Sequence, residues 1–521
     1  VIWMSYIAAF DLGTTNTKGV LVDEQASIAF ENNIPMEVSQ AQGSVEQHPE
    51  DWYKAVTEIA QHWFRSGIDP ASIKLISFSG QMQDCIPVGA DMLPVRPAIL
   101  YSDGRAGEQA ARLLAELGED EVTRETANHM DGTLTLPKML WLQEQEPDSY
   151  AKAASFLISS KDYIIARLTG QFVTDPTSAA TTGMMQLHSR SWMTSWLERL
   201  GLDAAKLPQI IGADQIAGTV HAQGAQYTGF AEGTPVLCGI GDAGAATLGA
   251  GVYEEGEVYA YLGTTGWVAA ASAGLMDVSS GAFNLAYVEP GRQISIAPMM
   301  NAGSAHRWAV DTFGPSASLP ADVAGGSEAD NTAVAKAKSA QDNAFEAFER
   351  AVAEAERESG VLFLPYLYGE RCPVQDSLAS GSFIGLRAAT TRAQMGAAVL
   401  EGVAYSIRQV MELVVSRDAK LRVTLIGGGA KSKVWCQTIA NVLQCELVVP
   451  DDSQYLPSIG AALLGFAHLG WGDELGELCG RIKAAQAVQT FTPDAALADY
   501  YDKQFARYKR MYAHLQPLFQ L

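Results

Sequence analysis

The sequence predicts an α/β protein made of two related halves, and three observations predict it. Short apolar runs alternate with helical patterns along the whole chain, which is the pattern of packed α/β layers. The chain has 521 residues, beyond the ~250–300 at which a single hydrophobic core stops growing, so at least two domains are expected. Leu-Gly-Thr-Thr follows a short apolar run twice, at Leu12–Thr15 and again at Leu262–Thr265, which suggests that the two halves begin alike.

Taken in order, Tyr6–Asp11 and Gly19–Asp23 read as strands joined by a Gly/Thr/Asn turn, a hairpin signal. Leu75–Ser79 reads as a strand ending at Gly80. Thr234–Cys238 reads as another, running into Gly-Ile-Gly-Asp-Ala-Gly at 239–244. A polar break at Tyr253–Glu257 marks the domain boundary, with residues 1–254 forming an N-terminal domain and 255–521 a C-terminal one. Val258–Leu262 opens the second series of strands. Gly314–Ala340, rich in Gly, Ser, Pro and Ala, reads as a surface loop or insertion. From Thr391 to about Val415, apolar residues at Met395, Ala398, Val399, Val403, Ile407, Val410 and Leu413 have helical spacing, and Thr391 with Gln394 fits a capping box. Leu421–Ile426 is a strand before a triple glycine, and Leu447–Val449 a strand stopped by Pro450. Ser458 to about Leu469 is small and apolar nearly all round, as in a buried helix.

Composition excludes some functions. Lys and Arg number 36 against 59 Asp and Glu, a formal net charge of −23. Nucleic acids and anionic membrane surfaces are bound by positive charge, so neither is expected as a partner. A small phosphorylated ligand stays compatible, because backbone N–H groups and a metal ion can hold phosphate without net positive charge. The six cysteines, Cys85, Cys238, Cys372, Cys436, Cys445 and Cys479, show no Cys-x-x-Cys spacing. They read as reduced thiols of a cytoplasmic protein. No apolar run approaches the ~18 residues of a membrane span, and the N-terminal Val-Ile-Trp-Met-Ser-Tyr lacks the basic region of a signal peptide. The eight histidines lack zinc-site spacing, and no Gly-x-Ser-x-Gly elbow is present.

The chemistry-bearing motifs leave alternatives open. A Gly/Thr hairpin turn offers N–H and hydroxyl donors in a small concave space, so Gly13–Asn16 and Gly263–Gly266 can each wrap phosphate oxygens. Asp11, at the entrance of the first turn, suits Mg²⁺; the second turn has Tyr261 there. Gly239–Gly244 matches the dinucleotide fingerprint, with Glu257 as ribose acid. The same stretch also reads as a strand end presenting Asp242 as a general base, or as an N-cap aspartate. Gly427–Ser432 is no P-loop, since Ala430 stands where the Gly before the Lys is required. Its glycines would let an adenosine lie flat, or form an ordinary strand-to-helix turn. Gln81, Met82, Gln83 and Asp84, with Asp103 and Arg105, make either a polar rim with one apolar contact, fit for a polyhydroxylated ligand, or two ordinary turns.

Together these segments resemble the FGGY carbohydrate kinases, most closely the xylulokinase branch. The resemblance runs nearly end to end: Phe10–Glu24, Ser44–Tyr53, Ile76–Val88, Arg96–Ala106, Cys238–Val252, Tyr261–Ser272, Leu425–Leu443 and Ser458–Gly465, with Phe363–Leu386 the most specific stretch. It implies two ribonuclease-H-like domains of the actin/Hsp70/hexokinase type flanking a catalytic cleft. ATP would lie mainly against the C-terminal domain and sugar against the N-terminal one. It implies Asp242 as the base that takes the proton of the attacking sugar hydroxyl. It also implies Mg²⁺ near Asp11 and Asp242, and sugar contacts from Gln81, Met82, Gln83, Asp103, Arg105 and Asp242. Nucleotide contacts would come from Gly13, Thr14, Thr15, Asn16, Lys18, Gly263, Thr264, Thr265, Gly266, Gly303, Gly428, Gly429, Ala430 and Ser432. Homodimers are common in such a family. The expected reaction is ATP-dependent phosphorylation of D-xylulose to D-xylulose 5-phosphate. The chain departs from the xylulokinase pattern at Gln83, where His is expected, at the Asp84 that follows it, and at Tyr101, where Trp is commoner. Another pentulose, a polyol or an aldonic acid is therefore an alternative substrate. A non-catalytic nucleotide-gated scaffold and an NAD-dependent oxidoreductase are the rivals from other classes.

Overall fold

The computed structural model describes residues 4–41, 44–315, 331–356, 358–415, 421–451 and 453–519. They form two compact units: Val1–Glu257 with Ala270–Ile296 and Gln454–Gln486, and Val258–Ala269 with Ala297–Ser453 and Ala487–Leu521.

The first unit is built on β1 (Tyr6–Leu12), β2 (Asn16–Val22), β3 (Ile28–Pro35), β4 (Ile73–Gly80), β5 (Ile216–Thr219), β6 (Pro235–Leu237) and β7 (Ile240–Gly241). The strand order is β5-β6-β4-β1-β2-β3, with β7 also paired to β4. β1 runs antiparallel to β2 and parallel to β4, and β6 and β7 run parallel to β4. All seven residues of β1 are buried, as a central strand covered on both faces requires. On one face the helix Pro49–Arg65 brings Trp63 to 5.4 Å from Phe10, which stacks on Phe78 at 5.5 Å. On the other face Ser77 Oγ donates to the carbonyl of Ala461 at 2.6 Å.

That second face corrects one expectation. The apolar stretch forms two helices, Leu456–Leu463 and Phe466–Leu469, rather than one from Ser458. The break falls at Leu464–Gly465, where a Cβ on Gly465 would press on Leu75 and Ile7. The first of these helices packs backbone to backbone on the helix Asp242–Gly249. A Cβ on Gly460 would fall on the carbonyl of Ala245, and one on Gly249 on that of Leu456. Glycine at both positions is what allows this contact.

The second unit contains β8 (Val258–Leu262), β9 (Gly266–Ser272), β10 (Arg422–Ile426), β11 (Glu446–Pro450) and β12 (Val488–Phe491), in the order β9-β8-β10-β11-β12. β8, β10 and β11 are parallel, and β12 is antiparallel to β11. This repeats the order β2-β1-β4-β6-β5 of the first unit, so the doubled Leu-Gly-Thr-Thr opens two copies of one topology. Pro450 does not stop β11 before itself; it is the last residue and pairs with Val488. The strand's edge end tolerates its missing N–H. The helix Arg392–Val414 starts at the expected box, with Thr391 and Gln394 bonding each other's backbone N–H. The expected loop at 314–340 is corrected in its second part. A helix, Asn331–Glu354, begins there, in keeping with an Ala- and Lys-rich stretch of good helix formers; residues 316–330 lie outside the described residues. Among the described residues no helix is long and apolar enough to cross a membrane.

Candidate active site

In the first unit the neighbouring parallel strands β1, β4 and β7 bring their C-terminal ends together, the usual place for a ligand in an α/β sheet. Asp11 on β1 lies beside Ser79 on β4 and opposite Lys18 on β2. Ile240 and Gly241 of β7 lie beside Ser79 and Gly80. Asp242 follows directly, so two carboxylates emerge from strands on either side of β4. Asp11 Oδ1 accepts from Ser79 Oγ at 2.8 Å. Burial raises the pKa of Asp11, against the opposing pull of Lys18 and Ser79. Asp242 Oδ1 accepts from the N–H of Ala243 at 2.7 Å. Its pKa is pushed up to about 7, first by burial and then by the charge of Asp11. A carboxylate titrating near neutrality is matched to general-base work. The N-cap reading gives way, because Gly241 holds that position and Asp242 is the first residue of the helix.

The glycines around Asp242 are used up by packing. Gly239 has φ 67°, and a Cβ there would fall on the carbonyl of Phe78. A Cβ on Gly241 would fall on Met82 Sδ, and one on Gly244 on Ile240. No room is left for a pyrophosphate on these glycines, which overturns the dinucleotide reading and the oxidoreductase with it.

The first turn is braced from below. Gly13 N–H donates to the carbonyl of Asn16 at 3.0 Å. Thr14 Oγ1 donates to Gln81 Oε1 at 2.8 Å, Gln81 Nε2 to Gln47 Oε1 at 2.8 Å, and Gln47 Nε2 to the carbonyl of Thr14 at 2.7 Å. Gln81 is thus inside a closed ring with the turn. Asn16 Nδ2 reaches Thr15 Oγ1 at 3.2 Å in an exposed position, and Lys18 Nζ donates to the carbonyl of Gln454 at 2.9 Å.

Met82 packs on Gly241, and the next residue, Gln83, turns toward Thr133. Gln83 Nε2 donates to Thr133 Oγ1 at 2.7 Å and to the carbonyl of Thr133 at 3.2 Å. Asp84 is not on a rim: it is fully buried, accepts from the N–H of Tyr101 at 3.0 Å, and faces Lys138. Burial pushes its pKa well up, with Lys138 opposing. Asp103 and Arg105 are turned toward each other. Arg105 Nε meets Asp103 Oδ1 at 2.9 Å, Nη2 meets Oδ2 at 2.6 Å, and Nη2 also meets Glu46 Oε1 at 2.8 Å. The guanidinium lies 4.9 Å over the ring of Trp141. Burial would raise the pKa of Asp103, but the bonds from Arg105 and from the N–H of Val45 outweigh it and hold it below the usual range.

A buried charge cluster below the strand ends escaped the sequence reading. Lys161 Nζ lies 2.7 Å from Asp162 Oδ1 and 2.9 Å from Asp175 Oδ1, with all three side chains fully buried. Asp175 Oδ2 accepts from the N–H of Gly241 at 3.4 Å, just before Asp242. In the same helix start, Ser160 Oγ donates to the carbonyl of Leu12 at 2.9 Å. The helix Ser160–Thr169 therefore holds the ends of β1 and β7 in register. The only sequence signal is the Ser159–Asp162 capping box, which marks a helix start and not a buried ion cluster.

In the second unit the turn Gly263–Gly266 is closed by Gly263 N–H donating to the carbonyl of Thr265 at 2.9 Å. The helix Gly303–Phe313 docks on it, with Gly303 N–H to Gly263 O at 2.8 Å and Ser304 N–H to Thr264 O at 3.0 Å. Buried Glu370 fixes the approach to that helix by accepting from the N–H of Met300 at 2.7 Å and of Arg371 at 2.8 Å. Gly427, at φ 94°, crosses Leu262 at backbone distance. Nothing lies within 4 Å of a Cβ on Gly428, whereas one on Gly429 would meet Leu262 and Trp435. Ala430 is buried, and Ser432 Oγ caps the helix Lys433–Leu443 by accepting from Trp435 N–H at 3.2 Å. The structure thus brings Gly263–Gly266, Gly303 and Gly428–Ser432 to the ends of adjacent strands.

Among the described residues no three His, Cys, Asp or Glu side chains converge as a metal cage. Two buried carboxylates coupled in charge do suit a hard cation that takes its remaining ligands from phosphate and water.

Residues 6–249 match the FGGY family of carbohydrate kinases, N-terminal domain, and residues 298–469 the C-terminal domain. The xylulose kinase of Escherichia coli (strain K12) is 30% identical over 98% of this chain and 99% of its own. The crystal structure of ligand-bound xylulose kinase from Lactobacillus acidophilus superposes with a TM-score of 0.85 at 25% identity, covering 98% of each chain. A gluconate kinase structure from the same organism gives the same values. With both domain models matched and a relative 30% identical over nearly its whole length, the chain belongs to the FGGY family of carbohydrate kinases.

Proposed function

We propose that this kinase transfers the γ-phosphoryl group of ATP to a hydroxyl of D-xylulose, giving D-xylulose 5-phosphate. The observation that carries the reading is Asp242: a buried carboxylate at a strand end, beside Asp11, with its pKa pushed up to about 7. Such a group is ionised in a large share of molecules near neutral pH yet basic enough to take the proton of an attacking hydroxyl. The substrate follows from the xylulose kinases of E. coli and L. acidophilus, which match this chain over nearly its whole length.

In this reading residues 1–254 bind the sugar and residues 255–521 the nucleotide. Met82 and Gln83 contact the sugar directly. Gln81 acts from beneath, through Thr14, and Asp103 fixes Arg105 in place. Donors of Gly13–Asn16 and Gly263–Gly266, with Lys18, grip phosphate oxygens. Gly303, Gly428, Gly429, Ala430 and Ser432 line the nucleotide. Asp11 and Asp242 would hold Mg²⁺, which neutralises charge on the transferring phosphoryl group. Asp242 orients the sugar hydroxyl and accepts its proton at Oδ2, since Oδ1 is engaged by Ala243 N–H. Phosphoryl transfer asks little covalent chemistry of the protein, so positioning and charge dominate.

A coupled ADP-release assay over D-xylulose, other pentuloses, xylitol, ribitol, glycerol and gluconate tests this. D-xylulose should give the highest kcat/KM, and Asp242→Asn should remove turnover. A different best sugar overturns the substrate and keeps the chemistry. ADP release that ignores every sugar would favour the scaffold reading.

A further inference from the structure

We propose that Thr133, Asp131 and His129 lock the side chain of Gln83 as a hydrogen-bond acceptor toward the sugar. The substrate must then present a hydroxyl at that position, and a carboxylate is rejected there. The inference rests on the reading of Gln83 as a sugar contact, and it names the substrate class as a neutral polyhydroxylated sugar.

The polarity follows from counting protons. The single hydroxyl proton of Thr133 goes to Asp131 Oδ1, which also accepts from the N–H of Thr133 at 2.7 Å. Asp131 Oδ2 lies 3.0 Å from His129 Nε2, while His129 Nδ1 is buried without a partner. The proton of a neutral imidazole therefore sits on Nε2, where it is used. Burial works against the charge of Asp131, but the bonds from His129 and Thr133 outweigh it and keep its pKa below the usual carboxylate range. An ionised Asp131 can only accept, so Thr133 Oγ1 has no proton left for Gln83.

Both Thr133 atoms that face Gln83, Oγ1 and the backbone carbonyl, are then acceptors. The amide end turned to them has to be the NH₂ group, and its two protons are spent at 2.7 and 3.2 Å. The amide oxygen accepts no bond from the described residues. The main chain beneath the amide is held as well. Its backbone is in the left-handed region at φ 65°, and its carbonyl is held by Lys138 Nζ at 3.1 Å. What remains for the substrate is one acceptor of fixed direction.

A sugar hydroxyl donates to such an atom, whereas a carboxylate would set lone pairs against it. Nearby cations give no compensation. Arg105 is committed to Asp103 and Glu46, and Lys138 to the carbonyls of Gln83 and Leu100. A site built to bond a substrate hydroxyl discriminates strongly against an analogue without it, and about 10²-fold or more is expected here. Thr133, Asp131 and His129 are positioning residues in this scheme.

The test measures kcat/KM for D-xylulose, xylitol and gluconate by ADP release. Wild type should favour the better neutral sugar over gluconate by about 10²-fold or more. Asp131→Ala removes the acceptor of the Thr133 hydroxyl proton, so that hydroxyl can donate toward Gln83 and the amide can turn over. The preference should shrink by about tenfold or more, mainly through KM for sugar, with KM for ATP unchanged. Thr133→Ser should retain the wild-type preference, and Thr133→Val should lose part of it. Wild type using gluconate within tenfold of the best neutral sugar overturns the inference. So does an unchanged preference in Asp131→Ala or, should that variant not fold, in Thr133→Val. An enzyme that is active and loses turnover in Asp242→Asn, yet prefers gluconate, would refute this inference alone. Absence of sugar-dependent ADP release in wild type would overturn the proposed function and the inference with it.

Discussion

Asp242→Asn should abolish transfer and at the same time stabilise the protein above neutral pH. The unfolded chain holds a proton on this residue only below about 3.8, and the folded chain holds it up to about 7. Between those values the folded state binds the extra proton, so stability rises as pH falls and declines as pH rises toward 7. Above 7 both states are ionised and the folded state bears the full cost of a buried carboxylate. At 1.36 kcal/mol per pH step, the rise from 3.8 to about 7 sets a ceiling of about 4 kcal/mol. Asparagine is nearly isosteric and uncharged, so it removes this cost. A third to a half of the ceiling, about 1–2 kcal/mol, is a reasonable gain once water penetration and relaxation are allowed for. At roughly 1–2 °C per kcal/mol for a unit of this size, Tm should rise by about 1–4 °C at pH 8. The gain should shrink steadily toward pH 5. Thermal unfolding of wild type and variant at pH 5, 6, 7 and 8 measures it, with ADP release on the same samples. Turnover should fall about 10²–10⁴-fold, and wild-type kcat/KM should fall below pH 7 with unit slope. A variant that is less stable at pH 8, or whose gain is equal at pH 5 and pH 8, refutes the desolvation argument. Turnover within tenfold of wild type refutes the base.

Two further substitutions probe the supports of the site. Gly303→Ala would set a methyl group on the carbonyl of Gly263 and push the helix off the second turn; KM for ATP should rise about tenfold while KM for sugar stays, measured by steady-state kinetics. Asp175→Asn leaves Lys161 with Asp162 alone and weakens the hold on Gly241; breaking a buried pair should cost about 3–5 kcal/mol in urea unfolding.

The fold was legible wherever a local rule and the tertiary context agree. Val258–Leu262 is a strand with the expected bounds, and Thr391 caps its helix as its side chain dictates. Rules failed where a distant neighbour decided. At the break between the two helices Gly465 leaves no room for a side chain because Leu75 and Ile7 occupy the space beside it, and no pattern within 456–469 carries that information. The site divides in the same way. Asp11, Asp242 and both Gly/Thr turns are legible because they are strand-end residues, and a strand end is a local property. Whether a polar side chain faces a ligand or is consumed inside the protein is not local. Arg105 is forked onto Asp103 two residues away and onto Glu46 59 residues away, and Gln81 is taken up by Thr14 and Gln47.

Gln83 is the sharpest case. As a residue type it both donates and accepts, so the sequence alone leaves open which of these the sugar meets. Thr133, 50 residues further on, takes both donors, and it can do so only because Asp131 takes its own proton. Three bonds therefore convert an ambidextrous amide into an acceptor. Specificity in such a site is set by the number of protons left over after the protein has satisfied itself. A substitution that touches no substrate, Asp131→Ala, should consequently alter the choice of sugar more than the rate of transfer.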